Sequence, residues 1–426
     1  MRCAKFAIQD ELATYFDSPA EPNNVHLEAW LPGHLDEKRL RSAVASVLAD
    51  QPKARARRAA RGWWRSGYEW EFPERPDADP VQVTGWRTEV ELDEARDRFL
   101  TVAPPLLVSP PFRLLLAAGP DRDSLILNAH HAAFDGRSCL RLLRLIADTY
   151  RGRAAPPAPP APPQTAVPSP AAGQPAGQRL VPDDGVPVPG ARPARIAPRH
   201  VAGTRNARGY GYALLGWPSV PSSAPGGGTV NDVLITALIR AIAQWNAASG
   251  QHGQIRVTMP VDVRPPGHEG DLGNFSRLCT VAAPGPLTVE AVAAQTALAK
   301  SHALRDSGPA QASLTRVPLP APVKRLAVRL ALRVFGGRRC DTSLLSNLGN
   351  LAQPPSFGAL SPDRMWFSTS AHMPRGLSVG AITVAGRLQL CVRYRYALLD
   401  DEAGAEFTAG YADALRAITG REVADR

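Results

Sequence analysis

Apolar positions follow two periods along this chain. Phe112, Leu114, Leu115 and Leu116 form a nearly continuous apolar run, which Gly119-Pro120-Asp121-Arg122-Asp123 ends with turn-forming residues. Ser124-Leu125-Ile126-Leu127-Asn128-Ala129 follows, and the two runs predict a buried hairpin. Past Gly136 the period lengthens. Cys139, Leu142, Leu143, Ile146 and Tyr150 fall on one side, with Arg137, Arg141, Arg144 and Asp148 on the other, which predicts a half-buried helix. A second helical stripe runs through Val230, Val233, Leu234, Ala237, Leu238 and Ala241. It lies behind Thr229 and Asp232, which are spaced as a capping box. Leu388, Leu390, Val392, Tyr394 and Tyr396 alternate with Gln389, Cys391, Arg393 and Arg395, predicting a half-buried strand with a basic outer face. Phe407, Tyr411, Leu415 and Ile418 predict a terminal amphipathic helix.

Between these regions, residues 152–200 are rich in Pro, Ala and Gly and carry no apolar period. They read as an extended crossover between a first lobe, 1–151, and a second, 201–426. A chain of 426 residues is long enough for two such lobes, each with its own core. The formal charge is +10, which draws polyanions in general: nucleic acid, acidic membranes, coenzyme A or acidic carrier proteins. Lys53-Ala54-Arg55-Ala56-Arg57-Arg58, with Trp63 and Trp64 close behind, interleaves cations and aromatics as single-strand binders do. Five scattered cysteines suggest reduced thiols and a cytoplasmic protein. Met1-Arg2-Cys3-Ala4-Lys5 leads into no apolar signal segment, and no apolar run reaches about 18 residues, so no membrane span is expected.

The candidate chemistry lies where the hairpin meets the helix, at His130-His131-Ala132-Ala133-Phe134-Asp135-Gly136. A strand-to-helix turn projects side chains from rigid elements into a cleft. A neutral imidazole at His131 can take a proton from a hydroxyl or amine as that group attacks a carbonyl. No Ser or Cys stands beside it as a nucleophile, which favours direct attack by the acceptor. Asp135 could orient the imidazole, or hold the turn through an arginine elsewhere. Gly136 allows a close backbone approach or an unusual backbone angle. The bland reading makes both histidines core residues and Asp135 a helix cap. A metal site is not expected, since the spacing lacks the pattern of zinc pairs.

His-His-x-x-x-Asp-Gly resembles the motif of the acyltransferase superfamily that includes chloramphenicol acetyltransferase, nonribosomal peptide condensation domains, wax ester synthases and polyketide-associated acyltransferases. Other segments resemble the family in the same order. Leu35 to Leu48 resembles its first helix, with Gln51-Pro52 where relatives have His-Pro, and Thr229 to Leu234 resembles the start of a long second-lobe helix. Ile255 to Val263 ends in Arg264-Pro265 and precedes Leu272-Gly273-Asn274-Phe275, as in the family; there an arginine pairs with the motif aspartate, which implies Arg264 facing Asp135. Ser346-Asn347-Leu348-Gly349 resembles a loop near the family's active-site tunnel, from which Ser346 or Asn347 could donate to an oxyanion, or which is simply a turn.

The resemblance implies an α/β (α+β) fold of two chloramphenicol acetyltransferase-like lobes, each a mixed sheet flanked by helices, with the active-site channel between them. It further implies a free-standing acyltransferase of natural-product biosynthesis, monomeric like its two-lobed relatives. Acyl-CoA or a phosphopantetheinyl carrier protein would be the donor co-substrate, with an alcohol or amine as acceptor and no tightly held cofactor. For the stretch from Lys53 to Trp64 the resemblance implies a strand and hairpin, with both tryptophans at least partly buried, which removes nucleic acid from the expected partners. His131 and Asp135 would be the catalytic pair, supported by His130, Gly136, Arg264, Ser346 and Asn347. Arg325, Arg329 and Arg333 recur at helical spacing before a Gly336-Gly337 break and Arg338-Arg339. That strip is either a solvated face or a receptor for phosphates or an acidic helix. The same scaffold could instead run another base-catalysed reaction or only recruit a carrier protein.

Overall fold

In the computed structural model, residues 2–62, 64–153, 192–200, 209–217, 228–283, 287–305 and 317–420 are described. The chain begins with β1 (Arg2–Lys5), α1 (Ile8–Phe16), β2 (Asn24–Leu31), α2 (Glu37–Asp50), β3 (Arg57–Arg58), β4 (Glu69–Phe72), β5 (Val81–Gly85) and α3 (Glu89–Leu100). The predicted hairpin and helix follow as β6 (Phe112–Ala118), β7 (Asp123–His130) and α4 (Gly136–Tyr150). Beyond the crossover come β8 (Tyr210–Trp217), α5 (Val230–Ala247), β9 (Ile255–Asp262), β10 (Ser276–Ala283), α6 (Val289–Arg305) and α7 (Ala321–Arg339). β11 (Ser343–Leu351), β12 (Arg364–Ser368), β13 (Leu377–Val384), β14 (Arg387–Arg395) and α8 (Asp401–Thr419) complete it.

Two sheets organise the lobes. One is five-stranded in the order β12-β2-β7-β6-β5, the other six-stranded in the order β10-β9-β11-β13-β14-β8. α2 and α4 cover the first, where Leu40, Val44, Leu142, Leu143 and Ile146 join Leu125 and Leu127 in one core. α5 and α8 cover the second, packing Leu234, Leu238, Phe407 and Tyr411 on Val379, Leu390 and Val392. Each lobe is thus a sheet closed on one face by amphipathic helices.

The lobes are not separate in sequence. β12, from the second half of the chain, pairs antiparallel with β2 and completes the first sheet, with Ser368 opposite His26. The crossing is tight. A Cβ built on Gly380 of β13 would lie 1.9 Å from the Phe367 carbonyl oxygen, so only glycine lets β12 pass there.

Several expectations change. The "basic outer face" of β14 is buried: Gln389, Cys391, Arg393 and Arg395 are all covered, because that face meets the first lobe. Arg393 lies 4.0 Å over the Tyr210 ring and donates to Asn24 Oδ1 (3.1 Å), and Arg395 donates to the Ala20 carbonyl. Ser346 to Gly349 form no loop; they lie in β11, which slips register between Asn347 and Asn350 through a bulge. Gly336-Gly337 does not break α7, which continues to Arg339 with Gly336 packed on Pro374. Residues 192–200 of the crossover belong to the second lobe, where Ala194 and Ile196 enter the core; 154–191 lie outside the described residues. Trp64 is 65% exposed and not partly buried, while Trp63 also lies outside the described residues.

Candidate active site

β7 and α4 fix the motif. Along β7 the register against β2 sets His130 opposite Asn24. The chain then turns, with the N–H groups of Ala133 and Phe134 donating to the His130 carbonyl at 2.9 and 3.2 Å. His130 is buried, and its Nδ1 accepts from the Ala132 N–H at 3.1 Å, which leaves the proton on Nε2, 3.6 Å from Asp17 Oδ2. Burial opposes ionisation of Asp17, but the His130 ring and the Asn23 N–H outweigh it and hold the carboxyl below its usual range. His130 therefore holds the turn from behind.

His131 points the other way. Its N–H donates to the Asn23 carbonyl at 2.9 Å. Its ring lines a cavity of about 1150 Å³ between the lobes, with Gly136 beside it and Ser346, His372 and Arg375 among the second-lobe walls. Nδ1 is buried and has no hydrogen-bond partner. Burial pushes the imidazole below its ordinary pKa, partly countered by the local backbone and then by the negative charge of Asp135, so the ring is neutral near pH 7.

The Asp135 carboxylate makes no hydrogen bond to that ring. It caps α4, accepting from the Ser138 N–H at 2.7 Å. Arg264 Nη2 stands 2.8 and 2.9 Å from its two oxygens, and the Phe275 N–H donates to it at 2.8 Å. Both side chains of the pair are buried. Burial alone would lower the Arg264 pKa, yet Asp135 and then Asp262 drive it upward. The Gly273 carbonyl accepts from the Asp135 N–H at 2.9 Å and from Ser138 Oγ at 2.7 Å. The Leu272–Phe275 segment thus clasps the start of α4 across the lobe boundary. Gly136 serves close approach: a Cβ there would stand 2.9 Å from Leu348 and from the Phe367 ring, and its φ is not positive.

Of the predicted site residues, the cavity gathers His131, Gly136 and Ser346. His130, Asp135 and Arg264 lie behind its wall. Asn347 turns its Oδ1 to the Gly349 N–H at 2.8 Å within the bulge and is not a lining residue. Arg325 and Arg329 donate to the Asp17 carbonyl, so this part of the strip is tied down, while Arg333 stays exposed. Among the described residues, no group of three or more His, Cys, Asp or Glu could hold a metal, and no helix is long and apolar enough to cross a membrane.

His372 and Asn23 are among the polar lining residues that escaped the sequence reading. His372 lines the cavity with both ring nitrogens unpartnered, and burial, then Arg393 and Arg375, push its pKa down to about 3. Asn23, besides receiving the His131 N–H, accepts from Ser370 Oγ at 2.8 Å. It links the end of β12 to the motif. Neither residue has a local signature, since each acts only through partners far away in sequence.

No family model matches the chain. It is 30% identical over 434 residues to the uncharacterized protein Rv2305 of Mycobacterium tuberculosis, covering 95% of this chain and 97% of the relative. The condensation domain of monacolin K polyketide synthase MokA superposes with a TM-score of 0.65 at 13% identity, over 99% of this chain and 98% of that one. A variant of the starter condensation domain of rhizomide synthetase RzmA, in complex with C8-CoA, gives a TM-score of 0.65 at 13% identity, over 99% and 95%. The chain therefore belongs to the family of the Mycobacterium tuberculosis protein and has the two-lobed fold of the condensation-domain superfamily that its motifs resemble.

Proposed function

We propose that the protein transfers an acyl group from a pantetheine thioester to a hydroxyl or amine, with His131 as general base. The observation that carries this reading is a neutral imidazole on the wall of a cavity between two lobes, large enough for two substrates to meet. Since Nδ1 is buried, Nε2 is the nitrogen that meets the acceptor. It removes the acceptor's proton as the oxygen or nitrogen bonds to the thioester carbonyl carbon. Negative charge moves to the carbonyl oxygen, where the Ser346 hydroxyl on the same cavity wall supplies a donor. Collapse breaks the C–S bond, and the imidazolium returns its proton to the departing sulfur. Free thiol and ester or amide leave, and the base is regenerated.

Asp135 acts at one remove. Its hydrogen bonds go to Arg264 and to backbone N–H groups, so it fixes the turn that carries His131. Coenzyme A or an acylated carrier protein would supply the thioester; binding of C8-CoA by the rhizomide synthetase domain favours testing coenzyme A first. The test is intact-mass analysis of products from a panel of acyl-CoA and acyl-carrier donors with alcohols and amines. Transfer by the parent and none by His131→Ala is expected. A His131→Ala protein that transfers at the parental rate overturns the assignment.

A further inference from the structure

The geometry of α7 points to a second property: we propose that this helix seats the protein on a membrane surface bearing anionic lipid, with the cavity mouth opening toward that surface. Most amphipathic surface helices turn their apolar stripe inward. α7 does the reverse. Val323, Leu326, Leu330 and Val334 recur at helical spacing and face solvent, with Leu326, Leu330 and Val334 at 68%, 60% and 58% exposure and Phe335 alongside at 51%. The opposite side rests on α1 and its neighbours: the Ala321 N–H donates to the Arg65 carbonyl at 2.8 Å, Lys324 Nζ to the Ser66 carbonyl at 2.6 Å, and Arg325 to Asp17. The Ala321–Arg65 bond also brings the loop carrying exposed Trp64 beside the first turn of the helix.

Charge selects the occupant. From 317 to 340 the chain carries no Asp or Glu; Lys324 is buried and Arg325 and Arg329 are tied to Asp17, while Arg333, Arg338 and Arg339 stay exposed. A second copy docked through this face by a two-fold axis would set cations against cations. A bilayer with anionic headgroups matches both features, taking up the apolar stripe and pairing with flanking arginines. An exposed tryptophan nearby suits the same interface. The stripe is continuous with the cavity, because Leu326, Leu330 and Arg333 belong to its lining. A lipophilic substrate could then pass from bilayer to cavity without crossing water.

The test is sedimentation of the full chain with vesicles of phosphatidylcholine alone, and of phosphatidylcholine with an equal part of phosphatidylglycerol. It reads partition and not turnover, so its outcome is separate from that of the acyl-transfer assay. The parent should pellet with the anionic vesicles at low salt and less so at high salt. The triple variant Val323→Ser, Val334→Ser, Phe335→Ser, at sites that are solvent-exposed, should keep its circular dichroism and partition about tenfold less. A parent that stays in the supernatant, or a variant that pellets equally, overturns the proposal. So does light scattering that shows a dimer in the parent and a monomer in the variant, which would assign the stripe to a second copy.

Discussion

Replacing Asp135 with alanine separates a holding role from a catalytic one. The substitution removes the helix cap to Ser138 and the acceptor for Phe275, and leaves Arg264 buried without its principal counter-charge. Breaking a buried ion pair from one side costs about 3–5 kcal/mol, and loss of a cap adds about 1. Added together, these terms give a loss of roughly 4–6 kcal/mol as an upper bound, since both act at one carboxylate. Arg264 keeps a contact to Asp262 at 2.8 Å, which favours the lower end. For a unit of about 150–250 residues each kcal/mol moves Tm by about 2–4 °C, giving a fall of ~8–24 °C. The assay is thermal unfolding by circular dichroism, together with kcat on whatever folded variant survives at low temperature. A sharp fall in Tm with kcat within about tenfold of the parent supports the holding role. An Asp135→Ala protein as stable as the parent but inert would refute it and make the carboxylate catalytic.

His131→Ala should cut turnover by about 10²–10⁴-fold while leaving Tm nearly unchanged, since the ring nitrogen it buries has no partner to lose; parental Tm with parental rate removes the base from the mechanism. The acid limb of kcat/KM should have its midpoint below 6.5, because burial lowers the His131 pKa and the neutral ring is the active form; activity rises with pH through that midpoint, and a limb centred above 6.5 contradicts this. The same depression makes stability depend on pH, because the unfolded chain takes up the His131 proton first: stability is full above pH 6.5 and falls as pH drops through the depressed pKa. Gly136→Ala drives a methyl against Phe367 and Leu348 and should cost about 1–3 kcal/mol in chemical denaturation; unchanged stability would mean the wall yields.

The hairpin and the strand-to-helix turn were legible because each carries its own period and its own punctuation, whereas the two helix-covered sheets were legible only through the family resemblance. The Arg264–Asp135 contact was legible only through the family's segment order, since nothing local joins residues 129 positions apart. β14 misled for a physical reason. Alternating arginines ordinarily mark a solvent face, but here that face meets the other lobe, and Arg393 is buried against Asn24 and Tyr210. The double glycine in α7 misled because its backbone cost is only about 1 kcal/mol per glycine, and at Gly336 the close approach of Pro374 leaves little room for a side chain. His372 and Asn23 stayed hidden because their placement depends on β12 crossing into the first sheet. Strand exchange between lobes leaves no trace in composition or spacing.

That crossing also shapes the electrostatics of the cavity. β12 delivers the chain to His372, where Arg393 and Arg375 disfavour protonation. At His131, by contrast, the nearest acidic influence is Asp135, which favours it. The His372 side of the cavity thus carries arginine charge, whereas the His131 side has a carboxylate behind it. During the proposed attack, positive charge grows on His131 while negative charge grows on the carbonyl oxygen. A substrate carbonyl turned toward the arginine-backed wall would develop its charge along the field already present. The field is fixed by buried groups, so it needs no reorganisation as the charge appears.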